Sequence, residues 1–289
     1  MSPKILITGA TGKVGSELIK LLVEKGEAVR AATRNPESAS IKFTGAMECV
    51  EFDYENTETF VPALKGIDKV FLVARPGDNQ SDKAAAPFID EMKLQNVKHI
   101  VNLTAMGVEQ DESFMLRKLE KYIEDSGISF THLRPNWFMQ NFIAGPMYSD
   151  IQSTDALHLP AADAKLSFID VRDIAAVGAV VLSSDTHTDK AYTLTGCEAL
   201  NHFQVVDKIN RASGREISYV PISEEIANTL LDKAGVEIDQ IERWTNFFRK
   251  VRDGYCAAVS NDFEFILNRE PVKFDTFAAD FVEVWKRNL

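Results

Sequence analysis

One glycine-rich segment near the start of the chain limits the possible folds more than any other feature. Thr8–Gly15 reads TGATGKVG; it follows the apolar run Ile5–Ile7 and precedes an amphipathic stretch. The order of strand, glycine turn and helix predicts a βα unit whose turn approaches a phosphate group. Gly9 can adopt the backbone angles of a tight turn, Gly12 places no Cβ before the phosphate, and Gly15 allows close packing of helix on strand.

The composition is that of an ordinary globular protein. The 289 residues are 45% hydrophobic and 26% charged, which suffices for one large α/β domain, alone or with a smaller appendage. A net charge of -11 disfavours a nucleic-acid partner. Cys49, Cys197 and Cys256 suggest neither a disulfide framework nor a metal site, there is no leader-like N-terminus, and the apolar run 174–182 is too short to cross a bilayer. We expect a cytoplasmic protein without a membrane partner, as a monomer or a homodimer.

Strand-like runs alternate with helical patterns over the first two thirds of the chain. Strands are predicted at residues 4–8, 28–33, 48–51, 69–73, 99–104, 129–133 and 191–195, and helices at residues 14–25, 57–64, 84–95, 114–125 and 171–182. This alternation predicts an α/β fold, a Rossmann-type doubly wound parallel sheet with a smaller, mostly helical and discontinuous C-terminal substrate lobe. We assign residues 1–134 to the Rossmann core, 135–167 to a pocket-forming crossover, 168–196 to a return into the core, and 197–289 to the helical lobe.

The carboxyl ends of the predicted strands supply the candidate cofactor residues. The turn contributes Gly9, Ala10, Thr11, Gly12, Lys13, Val14 and Gly15. The second strand ends at Arg34 rather than at an acid, which favours NADP(H) over NAD(H), although Arg34 could also be a solvated loop charge. Asp53 could accept a hydrogen bond from adenine or simply form a turn.

Two further strand ends border the expected cofactor site. Ala74 and Ala105 are small enough to leave room for the nicotinamide ribose, and Thr104 precedes Ala105. Arg75 suits a cofactor contact and a surface position equally well. Since ligands in open α/β sheets lie across these strand ends, all four residues are cofactor candidates.

Longer stretches of the chain resemble the NmrA-like, atypical short-chain dehydrogenase/reductases that bind NADP. The likeness rests on Thr8–Gly15, Leu133–Phe142, Phe168–Ala175 and Tyr192–Gly196, and on the run from Phe248 to Phe277. The resemblance implies a reductase or a regulator. The group includes quinone, azo-dye, triphenylmethane-dye and iminium reductases, as well as redox-sensing regulators without catalysis.

An apolar and aromatic segment follows the sixth strand. Trp137, Phe138 and Phe142 would wall a pocket over the nicotinamide, and Asn141 would add a polar group. The alternative is that the segment is core between lobes, which for Phe138 and the neighbouring Met139 is an equally good interpretation.

The usual proton relay of short-chain reductases is missing from the sequence. That relay pairs a Tyr with a Lys four residues later, and none of the six tyrosines has such a Lys. Leu116 occupies the slot where relatives often place a His or Lys. Lys118 is the remaining candidate for a ribose contact, or a solvated helix lysine. The histidines show no metal spacing, and His132 is interpreted as a packed strand residue.

These features predict an NADPH-dependent oxidoreductase that passes hydride to a flat, electron-poor small molecule, such as a quinone, an iminium ion, an azo compound or a cationic dye. Such acceptors need no enzyme-bound acid when the hydride arrives. The alternative is a non-catalytic NADP(H)-binding redox sensor that acts through a protein partner, and a sugar-nucleotide epimerase is a third possibility. No metal is expected.

Overall fold

The computed structural model describes residues 4–43, 47–75 and 80–286. Within them the strands are β1 (Lys4–Ile7), β2 (Ala28–Thr33), β3 (Glu48–Glu51), β4 (Ile67–Val73), β5 (His99–Leu103), β6 (Ser129–Pro135), β7 (Ala156–Leu159), β8 (Lys190–Leu194) and β9 (Ser218–Pro221). The helices are α1 (Lys13–Glu24), α2 (Pro36–Lys42), α3 (Phe60–Leu64), α4 (Ser81–Leu94), α5 (Met115–Asp125), α6 (Pro146–Thr154), α7 (Val171–Leu182), α8 (His202–Ser213), α9 (Glu224–Lys233), α10 (Ile238–Arg252), α11 (Asp262–Leu267), α12 (Phe274–Asp280) and α13 (Val282–Trp285). Short 3-10 helices cover Thr57–Thr59, Val108–Gln110 and Met139–Phe142.

Seven strands form one parallel sheet in the order β3-β2-β1-β4-β5-β6-β8. Helices cover both faces of the sheet. Successive side chains of a strand point to opposite faces, so each strand packs against helices on both sides. Val70 and Leu72 pack with residues of α3, α4 and α5. Phe71 lies on the other side, near the close approach of α7 to α1 at Gly178. The predicted doubly wound α/β fold is confirmed.

The chain divides into two compact units. Unit 1 comprises residues 1–135, 171–194 and 262–268, and unit 2 comprises residues 136–170, 195–261 and 269–289. The sequence-based division placed all of residues 197–289 in the helical lobe, and this is wrong for 262–268. These residues include α11, which packs on α7 and β8 and so belongs to unit 1.

Unit 2 has its own core and a small parallel sheet of β7 and β9. Aromatic side chains dominate the core, among them Phe168, Phe274, Phe277 and Trp285, each at most 1% exposed. β7 and β9 were not predicted, because a strand of four residues is too short to show a clear hydrophobic pattern.

The predicted strands of the large sheet are all present: β2 and β3 have the predicted bounds, and the ends of the others differ by one or two residues. Helix 171–182 also has the predicted bounds. β1 and β5 each end one residue before the prediction, so Thr8 and Thr104 follow their strands. No helix among the described residues combines the length and apolar character needed to span a membrane.

Candidate functional site

The first βα turn of unit 1 is built around Thr8, whose buried side chain joins β1 to β4. Thr8 Oγ1 donates a hydrogen bond to the carbonyl oxygen of Phe71 (3.1 Å) and accepts one from the backbone N–H of Val73 (2.8 Å). The chain then turns at Gly9 with a φ of +59°, in the left-handed region that favours glycine. A Cβ at Gly15 would lie 2.3 Å from the carbonyl oxygen of Gly9. Only glycine therefore permits this approach of α1 to the turn.

The amino end of α1 is arranged to receive an anion. Gly12 is the N-cap residue and supplies no side-chain cap, and Thr11, Gly12 and Lys13 are exposed. Backbone N–H groups of a first helical turn have no partner within the helix, and the helix dipole favours negative charge there. Ala10 and Val14 are buried (0% and 4% exposed) and anchor the turn in unit 1. We call the turn formed by Gly9, Gly12 and Gly15 the glycine cradle. This turn and the uncapped start of α1 fit the pyrophosphate of a dinucleotide.

The residues predicted to meet the adenosine follow β2 and β3. Arg34 follows the strand and is exposed, with no hydrogen bond or ion pair of its side chain within the described part of the chain. Asp53 Oδ1 accepts the N–H of Glu55 (3.1 Å), and the Asp53 N–H donates to Thr59 Oγ1 (3.2 Å). These bonds fit the turn-forming interpretation of Asp53, so a contact with adenine stays a prediction.

The end of β4 holds a small residue and an ion pair. Ala74 is buried and belongs to the hydrophobic core of unit 1, so its contact with a cofactor stays a prediction. Arg75 Nη1 lies 2.6 Å from Glu55 Oε1, and both side chains are substantially exposed (38% and 67%). Of the two interpretations of Arg75, the surface position describes these contacts better.

Thr104, which follows β5, has a buried hydroxyl group that finds no hydrogen-bond partner within the described part of the chain. Its backbone N–H donates to the carbonyl oxygen of Leu133 (2.9 Å), which continues the pairing of β5 with β6. The side chain is 7% exposed, and its Oγ1 is buried with no hydrogen-bond partner among the described residues. Buried hydroxyl groups are almost always paired. An unsatisfied one beside half-buried Ala105, at the sheet edge where ligands bind, fits a group that pairs with a bound ligand.

Four tyrosines have a pKa above the usual value, which is the opposite of what a proton relay needs. Burial raises the pKa of Tyr54 and Tyr192 and raises that of Tyr219 to about 12. A hydrogen bond to Asp90 raises the pKa of Tyr122. Three of these hydroxyl groups donate to Val73 O, Leu159 O and Asp90, and the Tyr148 hydroxyl donates to Val284 O. Hydrogen bonds to carbonyl or carboxylate oxygens oppose ionisation.

Leu116 and Lys118, the two positions considered for a relay residue or a ribose contact, both lie on α5. Leu116 is half-buried and packs against the core of unit 1. Lys118 is exposed, and its side chain has no hydrogen bond or ion pair within the described residues. These positions agree with the interpretation of Lys118 as a solvated helix lysine.

A buried ion network next to α5 was missed by the sequence analysis. Glu120 is fully buried and accepts hydrogen bonds from Arg134 Nε (2.9 Å) and from Arg117 Nη1 (2.9 Å). Burial alone would raise the pKa of Glu120, but these guanidinium groups hold it below its usual value. His132 Nε2 lies 3.4 Å from Glu124 Oε1, and burial lowers the pKa of His132 to about 4.

The same network contains three potential metal ligands. One ligand atom each from Glu120, Glu124 and His132 lie within 4.8 Å of one another. However, Arg117 Nη1 already binds both carboxylates, at 2.9 and 2.7 Å, and Arg134 binds Glu120 as well. Two guanidinium charges disfavour a divalent cation at the same oxygens. We interpret the cluster as a structural ion network.

In unit 2, Trp137 belongs to a cluster of four aromatic rings. It is half-buried and stacks on Phe247, with ring centroids 5.1 Å apart and an interplanar angle of 13°. Trp244 stacks on Phe248 at 5.7 Å and 22°, and is itself 42% exposed. Offset stacked and edge-to-face pairs hold aromatic rings in fixed orientations. Trp137 therefore has a defined orientation and partial access to solvent.

The other predicted pocket residues differ in accessibility. Phe138 and Asn141 are half-buried. Phe142 has no exposed surface, packs edge-to-face on Phe168 (5.4 Å), and its carbonyl oxygen accepts the Nε1–H of Trp285 (2.9 Å). Its placement in the pocket is wrong, because the side chain lies inside the core of unit 2.

A cavity of about 360 Å³ lies between α9 and α10 of unit 2. It is lined by Asn228, Ile241, Glu242, Thr245, Asn246 and Arg249. None of these residues was predicted as a site residue, since a polar groove between two helices carries no sequence motif.

Comparison with known proteins identifies relatives over nearly the whole chain. The model of the NmrA-like family matches residues 1–278. The NAD(P)H azoreductase of Xenophilus azovorans is 30% identical over 279 residues, which cover 95% of this chain and 96% of the relative.

Two solved structures share the fold. The triphenylmethane reductase of a Citrobacter species has a TM-score of 0.84 at 22% identity and covers 97% of this chain and 99% of its own. An NADPH-dependent quinone oxidoreductase of Escherichia coli, complexed with NADPH, has a TM-score of 0.84 at 23% identity and covers 96% of this chain and 99% of its own.

Proposed function

The chain belongs to the NmrA-like family, and we propose that it is an NADPH-dependent oxidoreductase that reduces a flat, electron-poor small molecule. The observation that carries the proposal is the glycine cradle of unit 1. Gly9 has a positive φ, a Cβ at Gly15 would collide with the Gly9 carbonyl oxygen, and α1 begins without a side-chain cap. The printed activity of the azoreductase relative supports the same assignment.

The cofactor is held by backbone groups and a few side chains. The N–H groups at the start of α1 bind the pyrophosphate, and Arg34 contacts the 2′-phosphate, which favours NADPH over NADH. The Thr104 hydroxyl donates a hydrogen bond to the nicotinamide half, which explains why it has no partner among the described residues. When bound, the nicotinamide supplies the hydride for the reaction.

The acceptor is one whose reduction needs no acid from the protein. The tyrosines with shifted pKa values are all shifted upward, and Lys118 is an exposed residue of α5. A quinone can take its proton from water, and an iminium ion or cationic dye is neutralised by the hydride itself. A simple ketone would form an alkoxide without assistance. Trp137, fixed by its stack on Phe247, offers a flat aromatic surface to such an acceptor.

The test is a fluorescence titration with NADPH and NADH, followed by turnover assays with a quinone, an azo dye, a triphenylmethane dye and an iminium salt. Tight NADPH binding with turnover of any of these acceptors supports the proposal. Tight binding with no turnover would contradict it and would favour the redox sensor, to be followed by a search for a protein partner. Failure to bind either dinucleotide would exclude both functions.

A further inference from the structure

The connection between β5 and α5, residues 104–114, begins with the two residues proposed to border the nicotinamide ribose. Its start is hydrogen-bonded to β6. The Thr104 N–H donates to the carbonyl oxygen of Leu133, and the Met106 N–H donates to that of Pro135, each at 2.9 Å. The first part of the connection therefore continues the pairing of the sheet beyond the end of β5.

Acidic side chains hold the connection after a left-handed turn at Gly107, where φ is +82°. Glu109 Oε2 lies 3.4 Å from Arg134 Nη1. Glu112 Oε1 lies 3.6 Å from Arg117 Nε. The Arg134 and Arg117 side chains are only 13% and 15% exposed, so solvent screens their charges less than those of a surface pair. Two largely buried guanidinium groups thus each bind one acid of the connection.

The buried carboxylate of Glu120 fixes both guanidinium groups. Arg134 donates a forked pair of hydrogen bonds to it, from Nε to Oε1 at 2.9 Å and from Nη2 to Oε2 at 2.8 Å. Arg117 Nη1 donates to the same Oε2 at 2.9 Å. Forked pairs of this kind have a defined geometry, and Glu120 has no exposed surface. The third nitrogen of Arg134, Nη1, is therefore kept in a fixed position beside Glu109.

We propose that Arg134 and Glu109 are positioning residues, which hold the segment 104–109 so that Thr104 and Ala105 meet the nicotinamide half of the cofactor. This inference rests on the proposed function, which supplies the cofactor. NADPH is an anion, so removal of the Glu109 charge would by itself favour its binding. Release of the segment has the opposite effect, because the cofactor must then order the segment as it binds. The sign of the change separates the two effects.

The experiment compares Glu109→Gln with a matched control, Glu124→Gln. Glu124 belongs to the same network, since its Oε1 accepts a hydrogen bond from Arg117 Nη1 (2.7 Å), but it lies on α5 rather than in the connection. Both changes remove one negative charge. Neither replaces Glu120, whose loss would leave buried guanidinium groups unpaired and destabilise the fold.

Two measurements need no turnover. Amide hydrogen exchange of residues 107–111 is followed in the empty protein. Dissociation constants are measured by titration for NADPH and for 2′,5′-ADP, which lacks the nicotinamide half.

Glu109→Gln should raise the exchange rate of residues 107–111 about 2- to 5-fold and weaken NADPH binding by a similar factor, which is the size expected for a half-exposed ion pair. It should not weaken the binding of 2′,5′-ADP. Glu109→Asp, which keeps the charge, should lessen both effects. Glu124→Gln should neither raise the exchange rate nor weaken NADPH binding.

Three results would overturn the inference. Unchanged exchange in Glu109→Gln would mean that the ion pair does not hold the segment. Unchanged or tighter NADPH binding would mean that the segment does not meet the cofactor, and equal weakening of NADPH and 2′,5′-ADP would mean that the effect does not concern the nicotinamide half. Any of these results, with a wild-type protein that binds NADPH tightly, leaves the proposed function intact. A wild-type protein that binds neither ligand would refute the proposed function and this inference with it.

Discussion

Replacing the Thr104 hydroxyl, which has no partner among the described residues, should change stability and cofactor binding in opposite directions. Thr104→Val replaces the hydroxyl by a methyl group of similar shape at a position that is 7% exposed. The cofactor-free protein loses a buried polar atom that has no partner among the described residues. The cofactor complex loses the hydrogen bond proposed for that atom. The variant should therefore be more stable when empty and bind NADPH more weakly.

The expected magnitudes follow from the cost of an unsatisfied hydroxyl. A buried group of this kind costs about 1–3 kcal/mol, so we expect the free energy of unfolding to rise by about 1 kcal/mol. For a chain of this size that change raises Tm by about 2 °C. One neutral hydrogen bond to the cofactor corresponds to a loss of NADPH affinity of about 3- to 10-fold.

Thr131→Val is the matched control. Thr131 is also buried, but its Oγ1 donates to the carbonyl oxygen of His187 (2.6 Å) and lies 3.0 Å from His99 Nε2. Its replacement should lower the free energy of unfolding by about 1–3 kcal/mol, because these partners lose a hydrogen bond, and should leave NADPH affinity unchanged.

Urea unfolding and NADPH titration of both variants measure the two effects. If Thr104→Val destabilises the empty protein as Thr131→Val does, the Thr104 hydroxyl is paired and the reasoning fails. If Thr104→Val leaves the NADPH dissociation constant unchanged, the hydroxyl does not contact the cofactor.

Three further predictions test the roles proposed for the aromatic residues, for the glycine turn and for buried His202. Trp137→Ala should raise KM for the acceptor without changing the NADPH dissociation constant. Phe142→Ala should instead lower the free energy of unfolding in urea by about 3–5 kcal/mol, because Phe142 is a core residue. If Phe142→Ala changed only KM for the acceptor, the Phe142 side chain would line the pocket after all. Gly15→Ala should abolish tight NADPH binding, because the new Cβ would lie 2.3 Å from the Gly9 carbonyl oxygen. An unchanged NADPH dissociation constant would contradict the proposal that this turn binds the cofactor. Burial lowers the pKa of His202 to about 4 from 6.5, so the neutral ring stabilises the fold above pH 6.5 and that stability is lost as the pH falls towards 4. His202→Phe should lose less unfolding free energy than the wild-type protein between pH 7 and pH 5. An identical loss in both proteins would refute the lowered pKa of His202 as a cause of the pH dependence.

Much of unit 1 could be predicted from the sequence, because its signals are local. The glycine spacing of the first turn and the alternation of apolar runs with amphipathic segments led to the parallel sheet and to the position of the cradle. The strands β7 and β9 are too short to show such a pattern. Nothing local in the sequence indicates that α11 belongs to unit 1, because this depends on its packing against distant elements.

By itself, the sequence determined the type of sheet and the position of the glycine turn proposed to bind a dinucleotide, since a turn and its flanking strand and helix lie within about twenty consecutive residues. Only the tertiary structure decided that Phe142 is core and that the Thr104 hydroxyl has no hydrogen-bond partner among the described residues. These properties depend on which distant segments surround a side chain. Burial and pairing between residues far apart in the chain arise only when the strands and helices pack together, so residue spacing cannot reveal them.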